Sequence, residues 1–306
     1  MGFDGREDSR RGEPEGPSPG QDATRVERGR RRPPRVSPLL TLLAVLVLGL
    51  VVLAAVLLWR SLGESVPGTS LAKDSIDSDG PEPRVRLTNA AGRVSVEGVE
   101  DSRSVEYEAT RYAMAADPAA AKQRASEVPV DISREDSEIV IETDGGDDTG
   151  ADYDLRIPAG GSVEVESEAG DVEVSGLTGN VTVDAESGDV TVRNGGGSVS
   201  VEAPQGDVTL ANVNTDTGGA ELEVGSGDVL LEDLILGTLE AGVEAGSVTF
   251  SGRFSGGGRV SVETGDIIAR LPAEDTRDLT LQTRVGRVLR EPPSGGSGSE
   301  KQERGS

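Results

Sequence analysis

Between Tyr153 and Arg290, apolar and polar residues alternate with a period of two, and glycine interrupts the alternation at regular intervals. The interruption has a constant form, Gly followed by a polar and then a β-branched residue: Gly170-Asp171-Val172, Gly188-Asp189-Val190, Gly206-Asp207-Val208, Gly227-Asp228-Val229, Gly246-Ser247-Val248, Gly265-Asp266-Ile267 and Gly286-Arg287-Val288. The glycines are 18, 18, 21, 19, 19 and 21 residues apart. Counted from each glycine, three positions are apolar. Five before stand Val165, Val183, Val201, Leu222, Ala241, Val260 and Leu281; two after stand Val172 through Val288; four after stand Val174, Val192, Leu210, Leu231, Phe250 and Ala269. The positions between are mostly polar, as expected of strands with one buried face.

A unit of this size cannot bury its own apolar face, but stacked copies place like residues above one another in a continuous core. The pattern therefore predicts a mainly β chain: a parallel β-solenoid with short two-strand coils of about 19 residues over 158–290. An antiparallel meander also uses short strands and glycine turns, but gives no reason for equivalent residues to recur at the whole-repeat distance. Segment 83–157 differs and is expected to be an N-terminal β cap. It opens on Val85–Val96, which reads as one isolated repeat, and continues with strands near Val105–Thr110 and Glu138–Glu142. Between these strands, Asp117-Pro118-Ala119-Ala120-Ala121 supplies an N-cap acid and a proline at the first helical position, so a short helix is predicted to cover the first coil.

Upstream, Pro38–Trp59 is an unbroken apolar run, about 33 Å long as a helix and enough to span a bilayer. Arg25, Arg28, Arg30, Arg31, Arg32 and Arg35 precede it, whereas only Arg60 and Lys73 follow closely, so the positive-inside rule places the N-terminus in the cytoplasm. A cleaved signal peptide would have a shorter apolar region and a nearby small-residue site, and Ser70-Leu71-Ala72 is too distant to serve. The expected organisation is a disordered cytoplasmic tail (1–37), a transmembrane helix (38–59), a linker (60–82), the cap, the solenoid and a Gly/Ser-rich tail (291–306). This makes a single-pass plasma-membrane protein whose C-terminal domain is extracytoplasmic.

Composition restricts the chemistry. The chain has no His and no Cys, which excludes histidine-based triads, thiol nucleophiles, disulfides and Cys/His zinc sites. Aromatics make up 2% of residues and the net charge is -25, a poor match to bases, sugars that need stacking, or a phosphate backbone; nucleic acid is not an expected partner. Glycine, with 42 residues, is about twice as common as usual, as a chain of tight turns requires. Carboxylates remain. Asp171, Asp189, Asp207, Asp228 and Asp266 would stack along one edge of the coils. Such a ladder could hold calcium or a cationic peptide, or each Asp could accept a backbone N–H within its turn. The column is broken at Ser247 and Arg287, and the G-G-x-G-x-D calcium repeat is absent. No cofactor is expected beyond the possibility of calcium. Early coils are strongly anionic through Glu164, Glu166, Glu168, Glu173, Asp184, Glu186, Glu202, Glu221 and Glu223, whereas late coils carry Arg253, Arg259, Arg270, Arg284, Arg287 and Arg290. Leu230, Ile268 and Leu289 fall in an outward column and would suit self-association or a neighbouring envelope protein.

The run Tyr153-Asp154-Leu155-Arg156-Ile157-Pro158, followed by repeated Ser-Gly-Asp-Val turns at Ser187–Val190 and Ser226–Val229, resembles the bacterial "putative adhesin" β-strand-repeat family, a domain of unknown function in cell-envelope proteins. The likeness covers about residues 83–290 and implies an exported β-solenoid without known enzymatic activity; no binding residues carry over from it. Regular coils with short turns build no catalytic cleft, so an enzyme is not expected. The expected function is an adhesin-like or envelope interaction module facing an envelope protein, cationic peptide or wall polymer. The alternatives are an envelope stress sensor for cationic peptides or wall polymers and a calcium-binding scaffold.

Overall fold

The computed structural model describes residues 65–78, 80–135, 138–146, 148–271 and 278–292. The expected tails and the span 38–59 lie outside these residues. Among those described, no helix is long and apolar enough to cross a membrane.

The repeats form a parallel β-solenoid of about six turns. Its first wall contains β8 (Ser162–Ser167), β10 (Val181–Ala185), β12 (Val199–Gln205), β14 (Asn214–Ser226), the second half of β15 (Val229–Ala245), β17 (Gly258–Thr264) and β19 (Leu279–Val285). The second wall contains β9 (Val172–Ser175), β11 (Val190–Arg193), β13 (Val208–Ala211), the first half of β15, β16 (Val248–Phe254), β18 (Ile267–Arg270) and β20 (Val288–Glu291). Within each wall, pairing joins equivalent residues one repeat apart, for example Val165 with Val183 and Val172 with Val190. Parallel pairing at the repeat distance excludes the meander.

From Gly92 to Gly286, each corner that leads from the first wall to the second is a glycine in the left-handed region. Gly188 has φ 138°. A Cβ on it would fall inside the van der Waals shell of the Gly170 carbonyl, because the coils approach most closely there. The same contact recurs from Gly92 through Gly286, so the glycine column is imposed twice, by φ and by the neighbouring coil. The three apolar columns are buried as expected up to the 279–291 coil, where Val288 is 38% exposed. A fourth column lies three residues before each glycine and runs Asn89, Ser167, Ala185, Ala203, Val224, Val243 and Val262, all buried. In the later coils the core is filled by Phe250 and Phe254, whose rings meet edge-on at 6.1 Å.

Two expectations are corrected. The segment expected as a linker carries β1 (Val66–Asp77), which pairs antiparallel with β4 (Ser104–Ala115) over twelve residues. Only Gly68 of β1 is buried, so no apolar alternation marks it. The helix α1 (Pro118–Glu127) forms where predicted, with Asp117 Oδ1 accepting the Ala119 and Ala120 N–H groups at 3.0 and 2.9 Å. It packs on the β1–β4 ribbon rather than on the first coil: Ala121 and Ala125 are buried, and Gly68 leaves room for the helix backbone at Ala121. The turn between β9 and β10 holds a buried Leu177, whose column continues through Gly195, Val213 and Leu234. In later coils it becomes a short third wall, where Asn214 pairs with Ile235 and Leu236 with Phe254.

The isolated repeat is a full coil in an unexpected place. Its strands, β2 (Arg84–Asn89) and β3 (Val94–Val99), lie between those of a coil made by β6 (Glu138–Thr143) and β7 (Thr149–Pro158) and those of the β8–β9 coil. Gly92 takes the corner conformation at φ 120° and stacks on Gly170. β6 is covered in turn by β5 (Asp131–Glu135) and β7 by β4, both antiparallel.

Gly188→Ala is expected to lower unfolding stability by about 3 kcal/mol or more, combining positive-φ strain with overpacking. Ala185→Gly, which removes only a methyl group two coils from the cap, should cost less in the same urea titration.

Candidate functional site: the aspartate ladder and the acidic wall

The residue after each corner glycine cannot point its N–H along the normal ladder, because the glycine has turned the chain. Its partner is the carboxylate one coil earlier. The N–H of Asp189 donates to Asp171 Oδ1 at 3.1 Å, that of Asp207 to Asp189 at 2.9 Å, that of Asp228 to Asp207 at 2.7 Å and that of Ser247 to Asp228 at 2.7 Å. The Arg287 N–H likewise donates to Asp266 Oδ1 at 2.8 Å. All five aspartates are thus brought into one column, and each uses an oxygen on backbone. Asp152, missed in the sequence because its coil lacks the Gly-Asp motif, starts the same series by accepting the Arg93 N–H at 2.9 Å. Among the described residues, no three carboxylates converge as metal ligands.

A second ladder at the opposite corner also escaped the sequence pattern. Ser162 Oγ accepts the Asn180 N–H at 3.1 Å, and Asn180 Oδ1 accepts the Ser198 N–H at 3.2 Å. The mixed residue types hid it, although each is a small side chain able to accept a backbone hydrogen bond.

The outward face of the first wall concentrates the remaining charge. Parallel register aligns Glu166, Asp184, Glu202 and Glu223 in one column. A neighbouring column runs Glu164, Thr182, Ser200, Glu221 and Glu240. Arg86 lies 3.3 Å from Glu164, and Arg284 lies 3.7 Å from Glu263. Among the described residues, no cation pairs with Asp184, Glu186, Glu202, Glu221, Glu223, Glu240 or Glu244. Where Gly225 and Gly242 replace longer side chains, the wall dips into an open groove of about 470 Å³ bordered by Glu202, Glu223, Glu244 and Glu263. Glu173, grouped with this set in the sequence, faces out from the second wall and pairs with Arg193. The proposed apolar strip is discontinuous: Leu230, Ile268 and Leu289 share a column with Thr249, and only Leu289 exceeds one-third exposure.

Asp189→Ala removes an acceptor and should lower stability by about 1 kcal/mol, whereas Asp189→Asn, which keeps an oxygen at that position, should lose less. A comparison of urea midpoints checks the pair. Asp266 is a second case. The Arg287 guanidinium, and then the Arg287 N–H, hold its carboxyl below the ordinary carboxylate range. A folded value below the unfolded one contributes stability above the unfolded value, and this is lost as pH falls through the folded value. Arg287→Ala should therefore move the Asp266 carboxyl titration, followed by NMR, to higher pH and weaken stability at neutral pH, with the difference from the native chain vanishing as pH falls through the carboxylate range.

No curated protein matches the chain. Among solved structures, it is similar to one described as a putative adhesin from Bacteroides fragilis, with 14% identity, 72% of this chain and 97% of that chain covered, and a TM-score of 0.47. A putative adhesin from Parabacteroides distasonis gives 16% identity, 72% and 97% coverage and a TM-score of 0.38. A putative cell adhesion protein from Clostridium sporogenes gives 8%, 74% and 100%, and 0.29. The Toastrack DUF4097 family model matches residues 108–291, from β4 through the last solenoid strand, and the chain belongs to that family.

Proposed function

We propose that this Toastrack protein is a membrane-anchored, extracytoplasmic binding module whose acidic wall engages a cationic partner at the cell envelope, either a basic peptide segment or an amine-bearing wall polymer. The observation that carries this reading is the row of uncompensated carboxylates on the first wall. Neighbouring charges in a column are about 4.8 Å apart, and each pair repels by roughly 0.9 kcal/mol in water before salt screening. The backbone ladder holds them at that spacing, so the protein cannot relax the repulsion by moving them apart. A multivalent cation lying across several coils relieves many such pairs at once, while each contact remains individually weak. Binding of this kind is multivalent, fast and sensitive to salt, as suits attachment to an extended polymer. The role is one of binding rather than catalysis, because the carboxylates lie on an open sheet face.

Anchoring follows from the apolar run 38–59 and its arginine-rich flank, with residues 60–65 separating that run from β1. A reporter fused after residue 306 should be accessible only from outside intact cells, and accessibility from the cytoplasm would refute the orientation. For binding, the full-length chain in detergent micelles is titrated with oligolysine. Glu202→Gln, Glu223→Gln, Glu244→Gln and Glu263→Gln together should weaken binding at least tenfold and flatten its salt dependence. Four neutral changes at Glu100, Glu106, Glu127 and Asp131, off this wall, should have little effect. Equal weakening by the two sets would reduce the interaction to net charge and sink the proposal.

A further inference from the structure

The solenoid has two ends, and they are closed by different physics. At the cap, antiparallel strands cover the outermost parallel pair. At the other end, β19 and β20 each have a neighbour on one side only, β17 and β18. Among the described residues nothing covers their outer edge. Val285 is 59% exposed, and Val288 and Leu289 are each 38% exposed. An edge of this kind, with apolar residues beside unpaired backbone groups, is a template for strand addition.

The residues of this coil depart from the repeat at the positions that would support another layer. Arg290 occupies the buried column of Val96, Val174, Val192, Leu210, Leu231, Phe250 and Ala269, paired in register with Ala269. It has no ion-pair partner among the described residues. Arg287 occupies the aspartate column. Like Arg93 and Ser247 inside the stack, Arg287 replaces the aspartate, and its guanidinium folds back onto Asp266 Oδ2 at 3.0 Å. Other side chains of the coil turn back in the same way. Glu291 accepts from Arg270 Nε at 3.0 Å, and Thr283 Oγ1 donates to the Gly265 carbonyl at 2.9 Å.

We infer that Arg287 and Arg290 make the 279–291 coil a terminator, which keeps a second copy of this chain from adding its own β19–β20 edge to the solenoid. Stacking of two such ends would bury an unpaired guanidinium from each copy in an apolar column. It would also bring the arginines of both copies together. The backward contacts satisfy the coil's own polar side chains against its predecessor, so that it closes the stack.

The test restores the repeat residues by Arg287→Asp with Arg290→Val in the full-length chain. Because the chain has no cysteine, a single Leu289→Cys reports directly on edge-to-edge contact through disulfide formation. In the otherwise native background, Leu289→Cys should give less than a few per cent of cross-linked dimer under mild oxidation. In the double-variant background the dimer should predominate, and its fraction should rise with protein concentration. Arg290→Lys, which keeps the charge in the column, should behave as the native chain does. A double variant that retains the β circular-dichroism spectrum and stays uncross-linked overturns the inference, as does cross-linking in the native background. If the double variant loses the fold, Arg290→Val alone is read against Arg290→Lys, and equal cross-linking in those two overturns it.

Discussion

The glycine column is the constraint on which the rest of this molecule depends. At each corner from the first wall to the second, from Gly92 to Gly286, the chain must reverse with a positive φ while passing within contact distance of the carbonyl of the corner before it. Only a residue without Cβ satisfies both demands, so the glycines fix where each coil turns and, through that, the register of both walls. A slip of one residue would place a side chain against the neighbouring carbonyl and turn each apolar column outward. The aspartate ladder follows from the same turn: the reversed chain leaves one N–H per coil outside the normal pairing, and a short acceptor on the preceding coil satisfies it.

Register also converts a diffuse charge excess into a directed one. The sequence carries 55 acidic residues, and the turn aspartates are partly committed to backbone N–H groups. The glutamates of the first wall have no such commitment. Parallel stacking brings them together on one face, although they are 18 to 21 residues apart in the chain. The acidic wall is therefore a product of the repeat length, not of a local cluster. A change in the length of one coil that kept the corner intact would leave the wall in place, as the 21-residue interval between Gly206 and Gly227 does.

What could be read in advance was whatever repeats. Columns such as Val172–Val190–Val208 were visible because seven glycines phase them, and the helix at Pro118 was visible because its capping chemistry is local. Features lacking such a marker were not legible. The partly covered face of β1 carries Val66, Gly68, Ser70 and Ala72, while Leu71 faces solvent, so no alternation of apolar and polar residues marks it. Leu177 stands alone in a turn until Val213 and Leu234 are seen above it. The column through Asn89, Ser167 and Ala185 changes chemical character as it goes, so no one residue type announces it. Asp171 was legible as a member of a column, but its use as an acceptor depended on the direction of a backbone N–H. The unpaired state of Glu223 depended on which cations reach the same face.

The intercalated coil shows why the cap matters to the repeats. In a simple solenoid each coil meets only its neighbours, and an end coil can fray without disturbing those beyond the next interface. Here residues 84–99 are gripped between two coils that are themselves joined by the short Pro158–Ser162 connection. Removing that coil would open both interfaces at once, and its withdrawal requires the β6–β7 coil to separate from β8–β9. Buried contacts lock the slot: Asn89 Nδ2 donates to the carbonyls of Gly92 and Ala151, each at 3.1 Å, and a buried hydrogen bond joins Thr143 to Tyr153. The Ala151 contact is the telling one, because it binds the corner of the outermost coil, where Ala151 stands in the glycine column, to the coil inside it. The N-terminal end thereby acquires through topology the closure that the other end obtains by charge, and the acidic wall lies between two ends that resist opening for different reasons.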